Sequence, residues 1–217
     1  MLFKRIFLFI IFSTLVIAQG FEGYVKLKID SEGETMHVKY YKKGEDIRME
    51  PELKDVQMSG TMLFTGGSTY VIMPEQKMYM KIDMDKYSDM MPNDGEGEKE
   101  DDFKEPVKTG ETRDILGYTT EKWIFEDDDY TSEVWVAEGL GNFMMMSTPM
   151  NEQEMPEWYK DLTNSGFFPM LVIAKSKDGS SSDRMEVVEI EESSLSSDLF
   201  KVPSGYQEFS MPGGGGF

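Results

Sequence analysis

The chain has no cysteine and only one histidine, His37, among its 217 residues. Without thiols no disulfide can form, and an ordinary zinc site, built from several cysteine and histidine ligands, is excluded. A serine triad has only His37 to draw on, and that residue alternates with Lys39 along a strand-like stretch, which points it to solvent. No G-x-S-x-G elbow is present to hold a nucleophile. Asp127-Asp128-Asp129 lacks the glycine and the distal glutamate of a calcium loop and reads as a hairpin turn. The run Gly213 to Gly216 opens no helix, so it is a tail and not a phosphate cradle. None of the 41 acidic residues forms a pair singled out by an apolar setting, as paired-carboxylate hydrolysis requires. The sequence therefore predicts no catalytic residue, no cofactor and no assigned metal ligand, and the expectation is a protein that is not an enzyme.

Long apolar runs are also scarce. One exists, from Ile6 to Ile17, led by Lys4 and Arg5 and closed by Ala18. A basic start, about a dozen apolar residues and small or aliphatic groups at the last and third-last positions describe a secretion signal cleaved after residue 18. The run is shorter than the roughly 20 residues of a membrane-spanning helix, so a periplasmic or secreted, not membrane-spanning, protein is expected, held together by burial alone. Positive charge is in deficit: 22 basic residues face 41 acidic ones, a formal charge of −19, which becomes −21 once Lys4 and Arg5 are removed. Such a surface repels phosphate backbones and anionic headgroups over a screening length of about 8 to 10 Å, so nucleic acid is excluded as a partner. Solubility is the plain reading of the acidity.

What the chain does have is period two. Val25, Leu27 and Ile29 alternate with Lys26, Lys28 and Asp30, and Met36, Val38 and Tyr40 alternate with His37, Lys39 and Tyr41, with Ser31-Glu32-Gly33-Glu34 between them. Two half-buried strands joined by a hairpin follow. Further strand-like runs lie at 47–50, 56–64, 69–73, 77–83, 111–116, 121–126, 131–137, 170–176 and 184–191, separated by turn residues such as Gly66-Gly67 and Gly117-Tyr118. This is an antiparallel meander, without strand-helix-strand alternation. Residues 92–106, with seven acidic residues against Lys99 and Lys104, form an acidic loop that cannot offset the cost of ordering. One helix is predicted near Met155 to Thr163, where Met155, Trp158, Tyr159 and Leu162 make an apolar stripe. The division is a signal over 1–18, one β domain over 19–209 and a glycine-rich tail over 210–217.

Several strands are apolar on both faces: Met62-Leu63-Phe64, Tyr70-Val71-Ile72-Met73, Met78-Tyr79-Met80, Val134-Trp135-Val136 and Met170-Leu171-Val172-Ile173. Leaving a large apolar side chain wet forgoes roughly 1.5 to 3 kcal/mol, so each face needs a cover. A sheet curled round an apolar cavity meets that need, and so does a barrel or sandwich packed solid by its own side chains.

Four stretches together carry a resemblance: Met73-Pro74-Glu75-Gln76-Lys77-Met78-Tyr79-Met80, Thr109-Gly110-Glu111-Thr112-Arg113-Asp114-Ile115-Leu116-Gly117-Tyr118, Glu133-Val134-Trp135-Val136, and Leu199-Phe200-Lys201-Val202-Pro203-Ser204-Gly205-Tyr206. In order and spacing they resemble a family of exported bacterial proteins, domain of unknown function 4412, related to the lipoprotein carriers LolA and LolB. The resemblance implies a strongly curved antiparallel sheet, an incomplete LolA-like barrel, with one or two helices plugging the concave face over an apolar cavity. In the carriers such a cavity holds acyl chains.

On this reading the chain binds an apolar ligand, a lipid or acyl chain, without transforming it. The expected lining is Met62, Phe64, Ile72, Met78, Met80, Trp135, Trp158 and Tyr159, taken from the doubly apolar strands and the helical stripe. Methionine is abundant, 19 residues, and its flexible thioether side chain packs around varied apolar guests. Thioethers also bind Cu(I), which leaves a methionine-based copper-handling protein as an alternative. A module that meets a receptor or partner protein through its apolar face is the third reading.

Overall fold

The computed structural model describes residues 20–52, 60–82, 104–141 and 166–209. They form one sheet of twelve strands: β1 Gly23–Ser31, β2 Glu34–Lys43, β3 Asp46–Glu52, β4 Thr61–Thr65, β5 Ser68–Met73, β6 Met78–Ile82, β7 Val107–Ile115, β8 Tyr118–Glu126, β9 Tyr130–Ala137, β10 Phe168–Ser176, β11 Ser182–Glu192 and β12 Gln207–Glu208. The spatial order is β12-β6-β5-β4-β3-β2-β1-β11-β10-β9-β8-β7, so the sheet does not close. Two meanders, β1 to β6 and β7 to β11, meet back to back where β1 pairs with β11. Every pairing is antiparallel except the short one between β12 and β6. The mainly β, strongly curved architecture expected from the sequence is present.

Local chemistry sets the hairpins. Thr65 pairs with Ser68 across Gly66-Gly67, and Ile115 pairs with Tyr118 across Leu116-Gly117. All four loop residues have positive φ, which is the mirror-image turn that follows the right-handed twist of paired strands. Leu116 takes φ 54°, and the turn is held by Asp114 Oδ1, which accepts from the Gly117 amide at 3.0 Å. The predicted Asp127 to Asp129 turn is equally local: Asp127 Oδ1 accepts from the amides of Asp129 and Tyr130 at 2.8 and 2.6 Å.

Curvature follows from contacts that a flat sheet forbids. Tyr40 on β2 and Phe168 on β10 have β1 and β11 between them, a flat separation of about 14 Å at ~4.8 Å per step. Their rings meet edge to face with centroids 5.9 Å apart. Tyr118 on β8 likewise donates to Glu192 Oε1 on β11 at 2.9 Å across two intervening strands. Irregular register at Lys26/Leu27 and at Pro169/Leu171 marks the bulges that let the sheet bend. The main core sits inside the bend, where Val25, Leu27, Val38, Tyr40, Ile47, Phe168 and Met170 are buried together with Leu140.

Among the described residues there is no α-helix, only a 3-10 turn at Ser197–Phe200 capped by Ser196. The helix expected near Met155 to Thr163, the signal over 1–18 and most of the acidic stretch 92–106 lie outside the described residues. Within them the helices expected to plug the concave face are not present, and it is the outer face that carries a cover. An extended strap, residues 195–206, lays Leu195, Leu199, Phe200, Val202 and Tyr206 over Leu63 and Ile72 on the outer face. Arg48 donates to the Leu199 carbonyl at 3.1 Å, Lys43 to that of Leu195, and Glu22 accepts from the Leu195 amide at 2.6 Å. β7 also starts earlier than predicted, at Val107, and carries a register shift between Lys108 and Thr112.

Candidate functional site

Register decides which side chains share a wall, because directly paired residues lie on one face and successive residues alternate. Tyr40 pairs with Met49, Met49 with Met62, Met62 with Val71 and Val71 with Met80. The next row outward is Lys42, Ile47, Phe64, Thr69 and Ile82, and on the other side Met73 pairs with Met78. These rows form the concave face of the β3 to β6 end. Met62 and Phe64 pack against the main core, whereas Leu63 and Ile72 belong to the separate cluster under the strap.

Four of the expected lining residues, Met62, Phe64, Met78 and Met80, are therefore brought onto one wall, and all four are half-buried. Val71, Met73 and Ile82 complete that wall; the sequence reading did not select them, although the same alternation places them there. Ile72 and Trp135 are not brought into the group. Ile72 points to the outer face and is buried under Phe200. Trp135, on β9, pairs with Leu171 and Lys122 and is 3% exposed, its ring covered by the Arg113 guanidinium at 3.9 Å and Lys122 at 5.5 Å. Its indole N–H donates to Glu133 at 2.7 Å. Trp158 and Tyr159 lie outside the described residues.

The concave and outer faces differ in charge. The outer face of β1 to β3 carries an ion-pair ladder in which Glu52 meets Lys26 at 3.2 Å and Lys39 at 2.9 Å, and those bonds hold its carboxyl below the usual range. His37 lies on this face, paired with Lys28 and Glu52. Near the far end of the concave face, burial and the hydrogen bond to Glu192 push the Tyr118 phenol up to about 12. Lys42 stands apart as a charged group on the apolar side, only 8% exposed. Burial pushes its amine below the ordinary lysine range, partly offset by Glu45. No cluster of three or more histidine, cysteine or acidic residues suited to a metal ion exists among the described residues, and none of their helices is long and apolar enough to cross a membrane.

The chain belongs to the family described as domain of unknown function DUF4412, whose model matches residues 21–206. All four motif stretches fall inside that match. Comparison of the sequence with curated proteins found no match. The fold is similar to that of an uncharacterized conserved protein from Thermus thermophilus, with a TM-score of 0.50 and 9% identity over 87% of this chain and 90% of that one. More distant similarity links it to the MucA/MucB complex of Pseudomonas aeruginosa, with a TM-score of 0.49 and 9% identity over 85% of this chain and 56% of that one. A putative outer membrane lipoprotein-sorting protein domain from Vibrio parahaemolyticus gives a TM-score of 0.33 and 8% identity over 84% of this chain and 89% of that one. At these identities the likeness concerns the fold and not the chemistry of any site.

Proposed function

We propose that this member of the family is an exported, non-catalytic protein that holds an apolar ligand, a lipid or acyl chain, against the concave wall of β4 to β6. The observation that supports the reading is the state of that wall: Met62, Phe64, Val71, Met73, Met78, Met80 and Ile82 are apolar and only half-buried, although Leu63 and Ile72 on the other face of β4 and β5 are sealed. Completing their burial with a guest is worth about 25 cal/mol per Å² of apolar surface covered, so affinity comes from burial and needs no directional chemistry. Unbranched methionines let one wall accept chains of differing shape. The acyl chamber implied by the resemblance to the lipoprotein carriers agrees with this use. Native mass spectrometry of protein purified gently from its host is expected to show an acyl-sized adduct that organic extraction removes. An empty protein that also fails to bind a fluorescent fatty acid overturns the reading.

A second reading has one observation in its favour. Met73 and Met78 are directly paired and share the wall with Met62 and Met80, a set of thioethers of the kind that binds Cu(I). Titration with Cu(I) against a competing chelator separates the two, since a greasy wall alone gives no sub-micromolar uptake. A module that uses the same wall to meet a partner protein shows instead a mass in light scattering that rises with concentration or with added partner.

A further inference from the structure

Lys42 is the only charged side chain that is buried among the described residues. Strands β1 and β2 carry four other lysines that are paired: Lys26 and Lys39 with Glu52, Lys28 with Asp30, and Lys43 with Glu22. Each is more exposed than Lys42, yet Lys42, in a chain with 41 acidic residues, has no carboxylate within 4.0 Å among the described residues. Its ammonium makes one hydrogen bond, to the Gly44 carbonyl at 2.9 Å, out of the three it can donate. A loop closes over its stem: a Cβ added at Gly141 would stand 2.5 Å from Lys42 Cε. A cation buried without an ion pair of its own, its charge offset only by the Coulomb field of Glu45, costs stability, and groups held in that way are candidates for functional positions.

Its place in the sheet says what counter-ion fits. Lys42 pairs with Gly23 on β1 and Ile47 on β3, and the same row continues through Phe64, Thr69 and Ile82. The wall grades from half-buried on β4 to β6 to fully buried at Ile47 and Met49, and the lysine lies at the buried end. From β2 to β6 is four steps of ~4.8 Å, about 19 Å measured along the sheet.

We infer that Lys42 is the head-group anchor of the concave site and that the ligand is a long-chain acyl molecule carrying an anionic head, a fatty-acid carboxylate. The inference rests on the apolar-ligand reading above. The chain enters from the β6 edge with its carboxylate leading, and the carboxylate takes the ammonium donors that the protein leaves unused.

The test is isothermal titration of the delipidated full chain with dodecanoic acid, dodecanol and acetate. Wild type is expected to bind the acid at least tenfold more tightly than the alcohol and to give no heat with acetate. Lys42→Met, which keeps the stem and removes the charge, is expected to bring the acid to the level of the alcohol, and Lys42→Arg keeps the preference. Equal binding of acid and alcohol by wild type overturns the anchor while leaving the apolar site standing, and this arm needs no variant. A preference retained in a folded Lys42→Met protein, or acetate bound as well as the long acid, overturns the anchor too. If neither acid nor alcohol binds, the apolar-ligand reading fails with it.

Discussion

The two faces of β4 and β5 are built from alternate residues of the same two strands, yet they end in opposite conditions. Leu63 and Ile72 point outward and vanish under Phe200 and its neighbours in the strap. Met62, Phe64, Val71 and Met73 point inward and stay half-buried. Composition does not separate the faces, since both are apolar. What separates them, among the described residues, is whether a segment of the chain covers the face.

That contrast can be broken from either side. Truncating Phe200 to Ala removes the centre of the strap and is expected to cost about 3 to 5 kcal/mol in denaturant unfolding, with ligand uptake per folded molecule unchanged. A loss of uptake without a loss of stability would show the strap to be part of the site. On the inner face the order reverses. Met80→Asp places a charge on the wall and is expected to cut ligand affinity at least tenfold while unfolding stays close to wild type, because Met80 is only half-buried in the free protein. Unchanged uptake would remove Met80 from the lining.

The smallest effect concerns the contact that pulls the curve closed. Burial and the bond to Glu192 raise the Tyr118 phenol from 10.0 to about 12, so the contribution is complete below pH 10 and is lost as pH rises through about 12. Stability measured between pH 10 and 12 is expected to fall in wild type and to fall less in Tyr118→Phe. Equal slopes would mean that the phenol does not keep its proton on folding.

Much of this architecture was legible before the structure. Strands β1 and β2 alternate cleanly, and the turns at Gly33, Gly66-Gly67 and Asp127 carry local chemistry that needs no tertiary context. The parity of a doubly apolar strand was not legible: Val71 and Ile72, or Val134 and Trp135, are equally greasy, and a one-residue shift exchanges the faces. Hence the sequence groups Ile72 with side chains that point the other way. The strap escapes notice because an extended cover has no period; Leu195, Leu199, Phe200, Val202 and Tyr206 are spaced by the hollows they fill. The start of β7 is hidden by Gly110 and the register shift between Lys108 and Thr112, which interrupt the alternation. Lys42 could have been found, since the rhythm of Val38 and Tyr40 carries it to the inner face.

The joint between β1 and β11 ties residues 23–30 to residues 184–192 at the middle of the sheet. Each meander pairs strands that follow one another in sequence, but the seam between them cannot close until residues 184–192 have been made, and contacts this distant along a chain close slowly. A protein wired in this way keeps its central seam open until late in its synthesis.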